Sequence, residues 1–265
     1  MVVNSPTGKV TSYASVIDNK TSDPLAVLPA QAQRTVANKY VVPGVAELNN
    51  PASNFHTDMR LYNAGNGPVT VTLAYYQQGS ATPVPASQPI TIAAGEVKAI
   101  NNVLPTIWGL TGTGGSVVVD APSNASLVVT ARTFSRTDDG GTYGQFIPGV
   151  TRFDSIGAGE GTQELLQLEQ SDQYRTNIGF VETTGHPVHI EVLAESPQSK
   201  VTLKTDIHLQ AHEYRQSRLF SDLGFANNVY NGRVTVRVLD GEGRVATFGS
   251  VIDNRTADPT YVPAQ

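Results

Sequence analysis

The sequence contains no cysteine among its 265 residues. That excludes a disulfide scaffold, a thiol nucleophile and a cysteine-ligated zinc or iron–sulfur site. Methionine (2) and tryptophan (1) are scarce, and charged residues make up only 15% of the chain. Lysine and arginine number 18 against 23 acidic residues, a formal charge of −5. This shortage of positive charge argues against nucleic acid as a partner, because neutralising phosphates takes a basic patch. No apolar run reaches the ~18–20 residues of a membrane-spanning helix. The opening residues, Met1-Val2-Val3-Asn4-Ser5-Pro6, lack the basic and apolar regions of a secretory leader. The expectation is a cytosolic protein or an excised piece of a longer one, and the internal repeats favour the piece.

Glycine (24) and proline (16) are plentiful instead. With abundant Thr and Val, this is not a helical composition. The charge is uneven: the net negative balance falls entirely in residues 151–265. Divergence of two similar domains on their solvated faces accounts for it.

The chain repeats itself. Residues 10–24 read VTSYASVIDNKTSDP and residues 245–259 read VATFGSVIDNRTADP. A degenerate third copy spans 130–149, TARTFSRTDDGGTYGQFIPG. Further columns agree at an offset of 115 to 119 residues: Phe55-His56-Thr57-Asp58 with Tyr174-Arg175-Thr176-Asn177, and Gly115-Ser116-Val117 with Gly232-Arg233-Val234. Repeats of this kind define the architecture. The division is a tail element of a preceding unit (1–31), a first full unit (32–149) and a second (150–265).

Each unit reads as strands. Residues 69–75 and 188–193 alternate apolar and polar, the period of a half-buried strand. Residues 116–119 and 126–130 read as a strand pair joined by the turn at 120–125. Their counterparts, 233–239 and 244–251, flank Asp240-Gly241-Glu242-Gly243, a hairpin signal. Short strands with frequent turns predict an all-β protein of two tandem antiparallel sandwiches, immunoglobulin-like in size. Helical turns are expected only at 102–109, 217–224 and 163–170.

The segments Thr57-Asp58-Met59-Arg60-Leu61-Tyr62-Asn63, Ala94-Gly95-Glu96, Gly141-Thr142-Tyr143-Gly144 and Ser250-Val251-Ile252-Asp253-Asn254 resemble a tandem β-sandwich repeat of large secreted bacterial proteins. The resemblance implies an extracellular, non-catalytic array and carries no site residues. The first full unit has Ser135, Arg136 and Thr137 at the Ile-Asp-Asn columns, a departure from that pattern.

Candidate sites are few. Asp18, Asn19 and Asp23, with Asp253, Asn254 and Asp258, form oxygen-rich loops that could ligate calcium, although not at EF-hand spacing. The competing reading is that these side chains staple their own turns. Trp108, Tyr75, Tyr76 and Tyr143 are the candidates for a sugar-stacking face, which makes polysaccharide a second partner class. His186, His189, His208 and His212 cluster in the last unit, and the columns of His208 and His212 carry Thr91 and Gly95 in the first, a surface pattern. No Gly-x-Ser-x-Gly elbow is present, and the Gly-rich stretches at 112–115 and 157–161 lack the features of a phosphate loop. The sequons at Asn19, Asn124 and Asn254 are incidental.

The expected function is therefore an extracellular structural or adhesive module without catalysis or cofactor, able to assemble head to tail by strand exchange; the alternative is a carbohydrate-binding module of a secreted enzyme. The structural module's partners are copies of itself or neighbouring repeats. The surplus N-terminal element, with apolar Val10, Tyr13 and Val16, must be covered by the first sandwich or exchanged into a neighbouring molecule.

Overall fold

A computed structural model describes residues 11–29, 37–49, 54–123 and 125–265. Val10, Asn124 and residues 30–36, where the first unit is expected to begin, lie outside the described residues.

The first sandwich contains β3 (Lys39–Glu47), β4 (Phe55–Asn63), β5 (Val69–Gln77), β6 (Pro83–Val84), β7 (Ile90–Ile92), β8 (Val97–Ile100), α1 (Val103–Trp108), β9 (Thr113–Asp120), β10 (Leu127–Arg136) and β11 (Thr142–Pro148). One sheet has the order β11-β10-β4-β8 and the other β3-β9-β5-β6, with β7 also on β5. The second sandwich repeats this plan with β12 (Thr162–Gln170), β13 (Tyr174–Glu182), β14 (Val188–Ser196), β15 (Val201–Leu209), β16 (Tyr214–Ser217), α2 (Leu219–Asp222), β17 (Val229–Gly241), β18 (Val245–Asp253) and β19 (Pro259–Pro263). Its sheets run β16-β13-β18-β19 and β12-β17-β14-β15, strand for strand the same arrangement. The protein is thus all-β and antiparallel, in two consecutive sandwiches.

Two sequence expectations are corrected. The pairs 116–119 with 126–130 and 233–239 with 244–251 are not hairpins. β9 lies in one sheet of its sandwich and β10 in the other, and β17 and β18 are split likewise. The reason is packing: Val117 and Val119 of β9 face Leu127 and Val129 of β10 across the first core, so the turn crosses between layers. Helical turns occur at 102–109 and 217–224, but 163–170 is strand β12. Its helix-forming composition is overridden by Leu165 and Leu168, both fully buried against the second core. A register shift at Leu165/Leu168, with Gln167 at φ 60°, brings both leucines to the same side.

Each core fills between its two sheets. Met59, Leu61 and Ile147 meet Val42, Leu73 and Val117 in the first, and Ile178 and Phe180 meet Ile190, Val192 and Val236 in the second. A third apolar layer lies between the sandwiches: Val41, Tyr76 and Val118 pack against Val181, Tyr214, Ala246 and Phe248. The run Val117-Val118-Val119 thus serves two layers, its outer residues in the core and its middle one in the seam. Together the sheets form a four-layer stack.

The remaining element is a hairpin of β1 (Ala14–Ile17) and β2 (Pro24–Val27), a two-stranded sheet beside β11.

Candidate functional site: the seam and the Asp-Asn hairpin

The Asp-Asn loop is built by its own side chains. The Asp18 carboxylate accepts from the amides of Lys20 (2.8 Å) and Thr21 (3.1 Å), and Asp253 does the same for Arg255 (2.7 Å) and Thr256 (2.9 Å). Thr21 and Thr256 in turn accept from the amides of Asp23 and Asp258. Ser22 and Ala257 occupy the same turn position in left-handed backbone, at φ 62° and 59°. The Thr142 hydroxyl first, then the Lys20 and Thr21 amides, hold the Asp18 carboxyl below its usual range, and the Thr256 and Arg255 amides do the same for Asp253.

The N-terminal loop also reaches the first sandwich. Asp18 accepts from the amide of Thr142 (3.0 Å) and its hydroxyl (2.6 Å), and Asp23 accepts from the amide of Gly144 (2.9 Å). The Thr21 hydroxyl donates to the carbonyl of Thr142 (2.8 Å), and Lys20 donates to that of Asp139. β11 is the edge of its sheet, and an edge strand carries unpaired amides. Two carboxylates of the hairpin satisfy two of them.

Asp258, the counterpart of Asp23, is half-buried with Asp23 and Asp253 as its acidic neighbours. Burial first, then those two charges, push its carboxyl up to about 6. Burial likewise raises Asp23, opposed by its bond to Gly144 and by Arg132. Asn254 donates to the carbonyls of Ser171 (3.4 Å) and Asp172 (3.1 Å) and accepts from Arg175 (2.8 Å), which ties the loop to the β12–β13 turn. Among the described residues no group of three or more His, Asp or Glu side chains is arranged to hold a metal.

The aromatic candidates do not share one face. Tyr75 is buried in the first core and its hydroxyl meets that of Thr113 at 2.8 Å. Trp108 packs beside it, ring centroids 5.8 Å apart, and donates to the carbonyl of Pro85 (3.0 Å). Tyr76 belongs to the seam, and Tyr143 lies on the edge strand β11. The histidines separate as well. His189 and His208 stack across β14 and β15 at 3.9 Å, with Asp240 at 3.0 Å from His189. His212 has left-handed backbone at φ 58°, matching Gly95 at 73°. Its ring, however, is tucked against Tyr76 rather than on the surface, and burial lowers its pKa.

Sequence reading missed the seam. Phe248 lies across Gly179, where a Cβ would sit 2.2 Å from its ring, and against Gly44, a left-handed residue (φ 74°) at a register shift in β3. Gln145 and Ser250 bond across the junction at 3.0 Å. A signal was available: Val-Val-Val in β9 is apolar on both faces, as a doubly covered strand must be, whereas Val-Thr-Val-Arg-Val in β17 alternates.

No family model matches the chain, and no curated protein matches it. Among solved structures, the chain is similar to the crystal structure of Thermotoga maritima 1070, at 14% identity and a TM-score of 0.34, over 43% of this chain and 93% of that one. It is also similar to a calcium-binding mutant of Bacteroides uniformis β-glucuronidase 2, at 12% identity and a TM-score of 0.17, over 86% of this chain and 25% of that one.

Proposed function

We propose that this chain is a non-catalytic structural repeat module that joins its sandwiches by face-to-face stacking and extends head to tail through its N-terminal hairpin. The supporting observation is the seam. Val41, Tyr76 and Val118 are buried by Val181, Tyr214, Ala246 and Phe248, so two sandwiches behave as one stiff body rather than beads on a linker. Burying a side chain of Val to Phe size contributes roughly 1.5–3 kcal/mol. A repeated unit that buries its outer face on its neighbour is the physical basis of a solenoid-like array. The resemblance of its motifs to repeats of secreted bacterial proteins supports an extracellular setting, with neighbouring repeats as partners.

Small-angle scattering of the whole chain tests this. The proposal expects a compact two-sandwich particle, and Val118→Asp should swing the sandwiches apart while each stays folded. A wild-type profile with freely reorienting sandwiches would overturn it.

A further inference from the structure

Two surfaces are open on the same side of the first sandwich. Both have a counterpart in this chain that is covered.

The first is strand β1. Val16 is 54% exposed, while Val251, the residue at its column, packs against the second core. Tyr13 and Ile17, 79% and 57% exposed, stand at the columns of Phe248 and Ile252, which face the seam. The difference is the neighbour. β18 lies along β13 for nine residues, Val245–Asp253 against Tyr174–Glu182, whereas among the described residues β1 pairs only with β2. Its sequence, Ala14-Ser15-Val16-Ile17, holds no charge or proline that would protect a free edge. A lone two-stranded hairpin is marginal in water.

The second is a row of side chains on the outer face of the first sandwich. Val128, Tyr62 and Val97 stand side by side across β10, β4 and β8. The same register in the second sandwich is Ala246, Val181 and Tyr214 across β18, β13 and β16. That second row is buried in the seam, at 4%, 0% and 1% exposed, but Tyr62 and Val97 are 38% and 56% exposed.

We infer that both surfaces are the seat of one further sandwich of this same repeat: β1–β2 completes its hairpin sheet, and its Val41/Val118-type face rests on the Val128–Tyr62–Val97 row. This rests on the stacking reading above and names the partner. A whole second copy of this chain cannot supply that face. Its first sandwich already buries Val41 and Val118 in its own seam. In its second sandwich the corresponding cross-strand row is Glu164, Thr235 and Leu193, aligned by the same β12–β17–β14 register. Around that row Arg233 pairs with Glu195, and Arg237 with Glu191 at 2.5 Å. This charged sheet closes one end of the stack, as the polar outer face of a capping repeat does. Exchange of hairpins between two whole chains also gains nothing, because seating β1–β2 in the β18–β19 slot uncovers β18. The occupant that gains is a sandwich with an apolar outer face and an empty hairpin slot. Arg60, beside the row and near Asp58 (3.7 Å), stands where the second sandwich has Gly179, so the partner carries a polar group opposite it.

The test extends the whole chain by joining a second copy of residues 32–126 directly ahead of residue 10. Val10 then follows it as Leu127 does in the natural order. Amide exchange and small-angle scattering are measured on this chain, on its Val16→Glu and Val97→Glu variants, and on the unextended protein. Expected: the added residues fold, β1 amides gain protection like those of β18, and the particle lengthens by one stacked sandwich. Val16→Glu should unfold the added sandwich alone, and Val97→Glu in the original copy should unseat it while leaving the unextended protein unchanged. An added segment that stays unprotected while residues 11–265 remain a rigid stack overturns the inference and leaves the stacking reading intact. Loss of the stack in the unextended protein overturns the stacking reading itself.

Discussion

Asp18 binds Thr142 twice, at the amide (3.0 Å) and the hydroxyl (2.6 Å), across 124 residues of chain. Asp23 repeats the device on Gly144, two residues along the same edge strand. The loop that a sequence reader takes for a turn or a cation site is thus also a clamp between a surplus hairpin and the sandwich that follows it.

Asp23→Ala should loosen that clamp. Asp23 is 6% exposed, and its loss strands the Gly144 amide, a cost of roughly 1–3 kcal/mol that falls on hairpin docking rather than on either core. Limited proteolysis should then cut near residues 18–29 sooner, with the global melting temperature little changed. An unchanged cleavage rate would contradict the clamp.

Asp258 makes stability depend on pH. Its folded pKa is about 6, above the ordinary value of 3.8, so the fold disfavours its charged form. The penalty is fully present above pH 6 and disappears as pH falls towards 4. Asp258→Asn should therefore raise the melting temperature at pH 7–8 and have no effect near pH 4. The opposite slope would show that Asp258 is held as a favourable carboxylate.

Glu182 knits three loops of the second sandwich. Its fully buried carboxylate accepts from the amides of Thr184 (2.7 Å), Gly185 (2.7 Å), His212 (2.9 Å) and Arg244 (3.2 Å). Asn63 holds the same place in the first sandwich, bonded to Gly65, Gly67 and Ile92. Glu182→Ala strands four backbone amides and the Thr184 hydroxyl and should cost about 3 kcal/mol or more, read in urea unfolding. A loss below about 1 kcal/mol would mean water replaces the carboxylate.

Gly179→Ala probes the seam. The new Cβ would meet the Phe248 ring at 2.2 Å, and overpacking of this kind costs roughly 1–3 kcal/mol. The loss should appear as weaker coupling between the sandwiches, measured by scattering at rising urea. Unaltered coupling would place Phe248 outside the seam.

Much of this architecture is legible in the residues. The Ser-Val-Ile-Asp-Asn repeat marks strand and loop in both copies, and the pairing of Gly95 with His212 marks a left-handed turn in both. What escaped depends on contacts between distant segments. Asp240-Gly241 looks like a hairpin because the local signal for a tight turn is the same whether the chain folds back in its sheet or crosses to the next. Glu164-Leu165-Leu166 looks helical until β17 pairs with it. The clamp was hidden because Asp18 and Thr142 are linked by no local pattern. The seam was hidden because three successive valines favour a strand whether one or both of its faces are covered.

The central claim is that the two sandwiches form one body, and Trp108 offers the most direct check. It is the single tryptophan and lies in the first sandwich, so its fluorescence reports that half alone. Urea unfolding followed by Trp108 should coincide with loss of amide protection in β14 and β17 of the second half, as coupled units require. Two separated transitions would contradict the account.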